Sequence, residues 1–300
     1  MMLTRRLALG VLAGGMAAPA LALPGLRPGL TELAYAPDSP RNLLDIHRPE
    51  GAGPFPAILD IHGGGFISGD KRQLAVPRQI LAKGIAVVRM NYRLSDQARW
   101  PAQQDDVLAA AAFLQTRAAE LGLQPGRLAL GGRSAGAFMA VSAAISMVQA
   151  GRPPAAVVNF YGPMDFGSMD KDIARLGVKV QRLPADSPQS VESLLIGYAV
   201  GDRREAATAM GPVGRLDALA KGVHLPPLFS RHGTADTIVS VHQSEHLRDA
   251  WRRVDPGAAM DFALLQGEGH GTAGFSSDRV LGDLAGFLSH WLRPAASQKG

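Results

Sequence analysis

Short apolar runs and longer stretches with helical spacing alternate along most of this chain. The runs 56–61 and 85–91 are compact, and the stretch 72–83 between them has helical spacing, which predicts a parallel β-α-β crossover. The run 127–130 leads directly into a helical pattern over 134–149. Further strands are predicted at 155–161, 226–230 and 260–265, and further helices at 103–121, 241–253 and 278–292. This alternation predicts an α/β fold with a mostly parallel central sheet flanked by helices.

Two segments depart from that alternation. Residues 31–48 hold two short alternating segments around a proline-containing turn at 37–40, which predicts an antiparallel hairpin. Residues from about 162 to 224 mix charged residues, glycine and proline without sustained periodicity, over a length that a plain loop seldom has in a compact domain. We interpret this second segment, 162–224, as a small cap inserted into the sheet domain.

Composition adds limits to this picture. With 46% hydrophobic and 19% charged residues, the 300 residues suffice for one substantial domain with a buried sheet, assigned here to 23–300. Cysteine is absent, so neither disulfides nor cysteine-rich metal sites contribute. The formal net charge is +5, the basic residues are scattered, and no basic run is interleaved with aromatic residues. We therefore expect no nucleic-acid partner.

The first residues, 1–22, have the pattern of an export signal. Arg5 and Arg6 precede an apolar stretch at 7–18, and residues 20–22 read Ala-Leu-Ala, which fits a cleavage site. The apolar stretch is shorter than the roughly 20 residues that span a bilayer, so we expect no stable membrane insertion. This predicts a periplasmic or secreted bacterial protein. The adjacent arginines fit the twin-arginine route, and the Sec route stays open because the residues after Arg6 match only loosely.

Residues 132–136 read Gly-Arg-Ser-Ala-Gly at the junction between a predicted strand and a predicted helix. This G-x-S-x-G pattern is typical of a nucleophile elbow, in which a strained turn lifts the serine hydroxyl clear of the sheet. Side chains at the flanking glycines would collide with the neighbouring strand and helix. Ser134 is therefore the candidate nucleophile.

Residues 62–66 read His-Gly-Gly-Gly-Phe immediately after a predicted strand. Glycines free the backbone to turn its N–H groups toward a substrate, and this type of motif supplies oxyanion donors in serine hydrolases. We predict that the N–H groups of Gly64, Gly65 and Ala135 converge where a carbonyl oxygen gains charge. The alternative is a glycine-rich turn without a ligand, and the downstream G-x-S-x-G motif argues against it.

An acid and a base follow two later strands. Asp236 ends the sequence His-Gly-Thr-Ala-Asp, and His270 lies within Gly-Glu-Gly-His-Gly. The order Ser134, Asp236, His270 is the chain order of an α/β-hydrolase triad, with acid and base delivered from the carboxyl ends of later strands. We therefore expect these three catalytic residues to meet at one edge of the sheet. This chemistry requires no metal and no organic cofactor.

The other histidines have weaker settings. His62 and His232 precede glycines at strand ends, where we expect them to hydrogen-bond their own turns. His242 and His246 have a spacing that could bind zinc, but the glutamate of H-E-x-x-H is absent, so we expect a solvated helix face. No motif includes His47, His224 or His290.

Four further charged residues are candidates for the site. Asp255 and Asp261 flank a strand start, which is the wrong edge of the sheet, and Asp106 at a helix start is interpreted as a structural anion. The role of Arg133 is open between lining the pocket rim and pairing with an acid.

With these motifs placed, the sequence resembles the esterase/lipase group of α/β-hydrolases, which includes hormone-sensitive-lipase-like enzymes and bacterial feruloyl and acetyl esterases. The resemblance runs from about 33 to 292. It rests on the segments 44–46, 62–66, 91–94, 100–101 with Asp106, 132–136, 232–236 and 267–271. Arg133 stands where such enzymes more often carry Asp, His or Ser, and Ala137 replaces a common glycine. These departures bear on the subgroup rather than on the chemistry.

The resemblance implies an α/β-hydrolase fold and a serine esterase that forms an acyl-enzyme. The expected substrates are acetyl or feruloyl esters of carbohydrates, or other short-acyl esters. An arylformamidase-like amide hydrolase is an alternative, because the same triad serves both bonds. A noncatalytic binding protein with a hydrolase fold is a second alternative, against which an intact triad argues.

Overall fold

The structure is a computed structural model that describes residues 29–177 and 180–293. The export signal predicted at 1–22 lies outside these residues. In the described part of the chain, eight strands form one sheet. They are β1 (Leu30–Ala34), β2 (Leu43–His47), β3 (Phe55–Ile61), β4 (Ala86–Met90), β5 (Leu123–Arg133), β6 (Ala156–Phe160), β7 (Leu228–Gly233) and β8 (Met260–Leu265). Their order across the sheet is β1-β2-β4-β3-β5-β6-β7-β8.

The sheet is mostly parallel, as the sequence predicts. β1 and β2 form the expected antiparallel hairpin, and β2 pairs antiparallel with β4. All the other pairs, from β4 and β3 through to β7 and β8, are parallel. Parallel strands need long crossovers, whose helices cover the sheet, so β4, β6 and β7 are buried at every residue.

Helices supply those crossovers. They are α1 (Arg78–Leu81), α2 (Ala102–Thr116), α3 (Ala135–Gln149), α4 (Met169–Ala174), α5 (Val191–Ile196), α6 (Arg204–Met210), α7 (Pro212–Asp217), α8 (His242–Val254) and α9 (Asp278–Trp291). The helix predicted over 72–83 shortens to α1. Its first part is extended because the carbonyls of Leu74 and Ala75 accept hydrogen bonds from the Arg89 guanidinium rather than from helical N–H groups.

Both faces of the sheet are packed. On one face α2, α3, α7 and α8 help to bury a large apolar cluster that includes Phe138 and Trp251. On the other face α1 and α9 cover a smaller cluster that includes Phe160, Phe229 and Leu288. Each fully buried side chain of this size contributes on the order of 1.5–3 kcal/mol. The two clusters together hold the sheet between two helical layers.

The segment predicted as a cap, 162–224, lies between β6 and β7, and its described part contains α4, α5, α6 and α7. Buried hydrogen bonds tie it to α8. The side-chain carbonyl of Gln243 accepts the backbone N–H groups of Met164 and Asp165, each at 2.8 Å. In the described residues no helix is long and apolar enough to cross a membrane.

The residues with candidate catalytic side chains lie at one edge of the sheet. β3, β5, β6, β7 and β8 run in the same direction, so their carboxyl ends lie side by side. His62, Ser134, Tyr161, Asp236 and His270 each follow one of these ends. Residues far apart in sequence therefore face one another there, as at the ligand-binding edge of other α/β sheets.

Candidate active site

Ser134 occupies a strained turn between β5 and α3. Its backbone has φ 52° and ψ −123°, a conformation that non-glycine residues rarely adopt and that costs on the order of 1–3 kcal/mol. Its N–H donates to the carbonyl of Phe160 at 2.9 Å, which anchors the turn on β6. α3, which follows, is buried on nearly every side between the sheet, α2 and α7. The hydroxyl is thus presented from a rigid base.

The two glycines of the elbow are required by close approach. A Cβ on Gly132 would overlap the backbone of Gly136 in α3, and a Cβ on Gly136 would overlap the carbonyl oxygen of Ile61 in β3. Both collisions are with backbone atoms, which cannot rotate away. The elbow geometry therefore explains why glycine stands at both positions.

His270 lies between Ser134 and Asp236, within hydrogen-bonding distance of both. The Nε2 atom of His270 lies 2.9 Å from Oγ of Ser134, and its Nδ1 atom lies 2.7 Å from Oδ2 of Asp236. A carboxylate only accepts, so Nδ1 carries the proton and Nε2 is left to accept the serine proton. This arrangement suits general-base activation of the serine hydroxyl.

Asp236 is held as a buried carboxylate. Its Oδ1 atom accepts the N–H groups of Ile238 and Val239, each at 2.9 Å, while Oδ2 faces His270. Burial on its own would raise the pKa of Asp236, but hydrogen bonds from His232 and His270 hold that pKa well below its usual range. The acid therefore stays ionised and keeps the His270 tautomer fixed.

His232 bonds the turn that follows its own strand, as expected, and it also contacts the acid of the site. Its ring is fully buried, with Nδ1 2.7 Å from Oγ of Ser244 and Nε2 2.9 Å from the carbonyl of Val239. The same Nε2 lies 3.3 Å from Oδ2 of Asp236. His232 is thus a second imidazole on the acid of the site, opposite His270.

The glycine loop after β3 is fixed by aromatic contacts. The ring of His62 stacks on Tyr92 at 4.3 Å between ring centres, and its Nδ1 donates to the carbonyl of Gly63 at 2.7 Å. The Tyr92 hydroxyl lies 3.1 Å from the carbonyl of His62 and 3.3 Å from that of Gly63. Burial lowers the pKa of His62 to about 4, so its ring is neutral near pH 7. His62 hydrogen-bonds its own turn, as expected.

Gly64, Gly65 and Ala135 line the same cleft as Ser134. Both glycines have positive φ, 111° and 58°, which turns the loop in a way that side chains would oppose. In the described part of the chain, the N–H groups of these three residues donate to no protein acceptor. These N–H groups are free to donate to a group bound in the cleft, and their role as oxyanion donors stays a prediction.

The cleft has a volume of about 440 Å³. One wall comes from the cap segment, through Arg182, Val191 and Glu192. Another comes from Tyr161, whose ring meets the edge of His270 at 4.8 Å between ring centres. A volume of this size falls in the range that accommodates small organic ligands.

The two histidines on α8 are partly exposed, which agrees in part with the expected solvated face, but each also contacts a carboxylate. Nδ1 of His242 lies 2.6 Å from Glu245, and Nε2 of His246 lies 2.9 Å from the buried carboxylate of Asp172 on α4. Within residues 29–177 and 180–293 no group of three potential metal ligands comes together. Each of these histidines therefore contacts a carboxylate.

The remaining acids lie apart from the triad. Asp106 holds Arg93 through both oxygens, with the closest contact at 2.7 Å, which fits a structural anion. Asp255 accepts the N–H of Leu225 at 2.9 Å, and Asp261, at the start of β8, pairs with Arg231 at 2.8 Å. Both lie away from the carboxyl edge that carries Ser134.

Tyr161 was not among the residues predicted from the sequence, and His232 was predicted only to hydrogen-bond its own turn. Tyr161 directly follows β6, and the rule that functional side chains follow parallel strands would have found it. No motif predicts the contact of His232 with Asp236, because it depends on how the turn at 233–236 folds back toward β7.

Comparisons with known proteins agree with this geometry. The BD-FAE family model matches residues 44–251, well over half of the chain. Esterase LipQ of Mycobacterium tuberculosis is 27% identical over 255 residues, which cover 80% of this chain and 56% of LipQ. The probable carboxylic ester hydrolase LipM of the same organism is 27% identical over 238 residues, which cover 74% and 52%. The chain thus spans about half the length of these relatives.

Solved structures share the fold. A truncated form of a carbohydrate esterase from gut microbiota has a TM-score of 0.76 at 23% identity, covering 89% of this chain and 97% of that one. The thermophilic carboxylesterase EstE1 from a metagenomic library has a TM-score of 0.68 at 22% identity, covering 84% and 85%. With the family match, the eight-stranded sheet and the elbow at its carboxyl edge, the chain belongs to the BD-FAE family of the α/β-hydrolase esterase/lipase superfamily.

Proposed function

We propose that this protein is a serine carboxylic-ester hydrolase that works through an acyl-enzyme. The observation that carries the proposal is the linear arrangement of Ser134, His270 and Asp236, with contacts of 2.9 Å and 2.7 Å. A nucleophile, a base and an acid that orients the base are the parts that acyl transfer needs.

In the proposed reaction His270 accepts the proton of Ser134 as Oγ attacks the ester carbonyl. The N–H groups of Gly64, Gly65 and Ala135 stabilise the negative charge that develops on the carbonyl oxygen, and losing one such donor costs about 3–4 kcal/mol in comparable sites. His270 then donates the proton to the leaving alcohol. Water repeats the attack on the acyl-enzyme and releases the acid.

We propose acetyl or feruloyl esters of carbohydrates, or other short-acyl esters, as the substrate class. The resemblance to bacterial feruloyl and acetyl esterases supports this choice, and the carbohydrate esterase named above shares the fold. The cleft volume of about 440 Å³ suits a small acyl group together with part of its alcohol.

The first prediction tests the nucleophile. Ser134→Ala should abolish hydrolysis of para-nitrophenyl acetate, because no other group stands at the elbow, while circular dichroism should stay unchanged. Ser142→Ala is a matched control, since Ser142 is buried in α3, the helix that follows Ser134, and its Oγ has no hydrogen-bond partner in the described structure. A serine-directed organophosphate should label the wild type and the control at Ser134. Turnover by Ser134→Ala, or labelling of another serine, would contradict the assignment.

We also propose export to the periplasm or the medium, on the basic, apolar and small-residue pattern of 1–22. The mature protein recovered from those fractions should then begin after residue 22. Mass spectrometry of its N-terminus tests this, and an intact Met1 on membrane-bound protein would contradict it.

A further inference from the structure

Arg133, the residue before the nucleophile, has no role in the ester chemistry described above. Its side chain lies on the same face of the sheet as Asp60 on β3 and Arg89 on β4, which are directly opposite each other. The residue of β5 opposite Asp60 is Gly131, so Arg133 lies two positions further toward the carboxyl edge, directly opposite Phe160 on β6. Phe160 belongs to the apolar cluster beneath α1 and α9, so the three charged residues continue that face of the sheet to its carboxyl edge.

The group of Asp60, Arg89 and Arg133 holds two positive charges and one negative charge. Nε of Arg89 lies 3.4 Å from Asp60, and a terminal nitrogen of Arg133 lies 3.5 Å from the other oxygen of Asp60. In the described structure, Asp60 is the carboxylate that pairs with either arginine. Both guanidinium groups are nearly buried, so one positive charge stays uncompensated in a setting of low dielectric.

The uncompensated charge resides at Arg133. The terminal nitrogens of Arg89 already donate to the carbonyls of Leu74 and Ala75. Arg133 has one polar contact in the described residues, the long one to Asp60, and its guanidinium carbon lies 4.9 Å from the centre of the Phe160 ring. Most of its five N–H donors are therefore free, although the residue is only 8% exposed.

Those free donors border the catalytic cleft. Arg133 lines it together with Ser134 and His270. The other cation that lines it, Arg182, pairs with Asp170 at 3.3 Å and with Glu192 at 3.5 Å, so its charge is compensated. A guanidinium with open donors beside the nucleophile is suited to a carboxylate, which it can bind through two parallel hydrogen bonds.

We propose that Arg133 binds a carboxylate of the substrate, so that the enzyme prefers esters that carry a negative charge close to the scissile bond. The proposal rests on the proposed esterase function. The carboxylate has two possible sources: the alcohol, as in an ester of an acidic sugar, or the acyl group, as in a half-ester of a dicarboxylic acid. Either source would compensate the buried positive charge.

Two matched pairs of substrates separate the sources. Para-acetoxybenzoate against its methyl ester places the charge on the alcohol side. Mono-para-nitrophenyl adipate against para-nitrophenyl hexanoate places it on the acyl side. For each pair the quantity to measure is the ratio of kcat/KM for the anionic member to kcat/KM for the neutral member, after subtraction of uncatalysed hydrolysis.

In the wild type this ratio should exceed one for at least one pair, and the pair that shows it identifies the side. Arg133→Gln should lower that ratio by about tenfold or more, the usual effect of losing a hydrogen bond to a charged group. Arg133→Lys should restore part of it, because the charge returns without the bidentate geometry. Arg252→Gln removes the same charge from an exposed position on α8 and should leave the ratio as in the wild type.

A measurement on the wild type alone keeps the test decisive if the variants fold poorly. Raising the salt concentration screens the attraction, so the ratio should fall between about 0.05 M and 0.5 M NaCl. A wild-type ratio at or below one in both pairs, or an unchanged ratio in Arg133→Gln, would overturn the proposal. Absence of any hydrolysis of para-nitrophenyl acetate would instead overturn the esterase function itself.

Discussion

Asp236 shows how much of the site depends on one buried side chain. Its Oδ1 atom holds the turn through the N–H groups of Ile238 and Val239, and its Oδ2 atom faces the rings of His270 and His232. The same carboxylate therefore shapes the loop that carries it and orients the base. Burial alone would raise the pKa of Asp236, and the hydrogen bonds from His232 and His270 outweigh that effect and hold the pKa below its usual range.

Asp236→Asn should keep the fold and lose about 10⁴ in kcat, the size of the effect known for serine-protease triads. The amide can donate to Nδ1 of His270 and so favour the tautomer that cannot accept the serine proton. Steady-state kinetics on para-nitrophenyl acetate measures this. Asp261→Asn, at the opposite end of β8, is the matched control and should keep its kcat. A harmless Asp236→Asn together with a damaging Asp261→Asn would show that the acid is misassigned.

At the scale of helices, α4 of the cap segment is tied to α8 by an ion pair that also responds to pH. Nε2 of His246 lies 2.9 Å from Oδ2 of Asp172, whose carboxylate also accepts from Ser168 and Gln243. The hydrogen bond to Asp172 raises the pKa of His246. Burial alone would raise the pKa of Asp172, but the hydrogen bond from His246 and those from its other donors lower it.

The stability that the His246–Asp172 pair contributes depends on pH, because the pKa of His246 is raised and that of Asp172 is lowered. The pKa of His246 is higher in the folded protein than in the unfolded chain, where it is about 6.5. Protonated His246 therefore stabilises the fold in full at pH values below about 6.5, and this stabilisation is lost as the pH rises through the pKa of the folded protein. The lowered pKa of Asp172 keeps its carboxylate charged to a lower pH than that of an ordinary aspartate, and its contribution is lost as the pH falls through that lowered pKa. The pair therefore contributes most in mildly acid solution.

His246→Gln should lower the free energy of unfolding by about 1 kcal/mol or less near pH 6, a size that allows for partial exposure of the ring, and by less near pH 9. Urea unfolding of variant and wild type at both pH values measures the difference. His290→Gln changes an exposed histidine on α9 and serves as control. An effect of His246→Gln that is equal at both pH values would show that the charge of His246 contributes nothing.

The sequence predicted these elements with uneven success, for physical reasons. Strands such as β4 and β6 were found because both faces of a parallel strand are buried and its residues are apolar throughout. α1 was overextended because Arg89, a residue of the neighbouring strand, takes the carbonyls of Leu74 and Ala75 out of the helix. A contact of that kind leaves no periodic signal.

For the site, the sequence predicts the local geometry best where a motif of consecutive residues determines it. The elbow around Ser134 and the loop at 62–66 depend on glycines whose need is local. His246 was placed in solvent because the acid that it contacts lies on α4, which belongs to a segment without periodicity. The setting of Arg133 was likewise open, since Asp60 lies on a different strand and becomes its partner only through the strand order.

At the scale of the whole molecule, the site is assembled from several strands and loops that are far apart in the sequence. Its residues come from the ends of five strands, from 62 to 270, and the cap segment adds one wall of the cleft. Their distances are set by strand register and by the helices packed on both faces. We therefore expect activity to be lost together with the sheet, in the same transition.

Leu288→Ala, a substitution outside the cleft, tests whether activity and the sheet are lost in the same transition. Leu288 is fully buried on α9 in the smaller apolar cluster, so its truncation should cost about 2–5 kcal/mol in unfolding free energy. Because Leu288 does not line the cleft, kcat well below the melting temperature should match the wild type. The midpoints of thermal activity loss and of circular dichroism should fall together. Leu194→Ala deletes the same atoms from a residue that is 47% exposed and should change stability by no more than about 0.5 kcal/mol. If activity disappeared well before the sheet unfolded, the catalytic edge would be a separately melting part, and its geometry would depend on the loops rather than on the packing of the whole molecule.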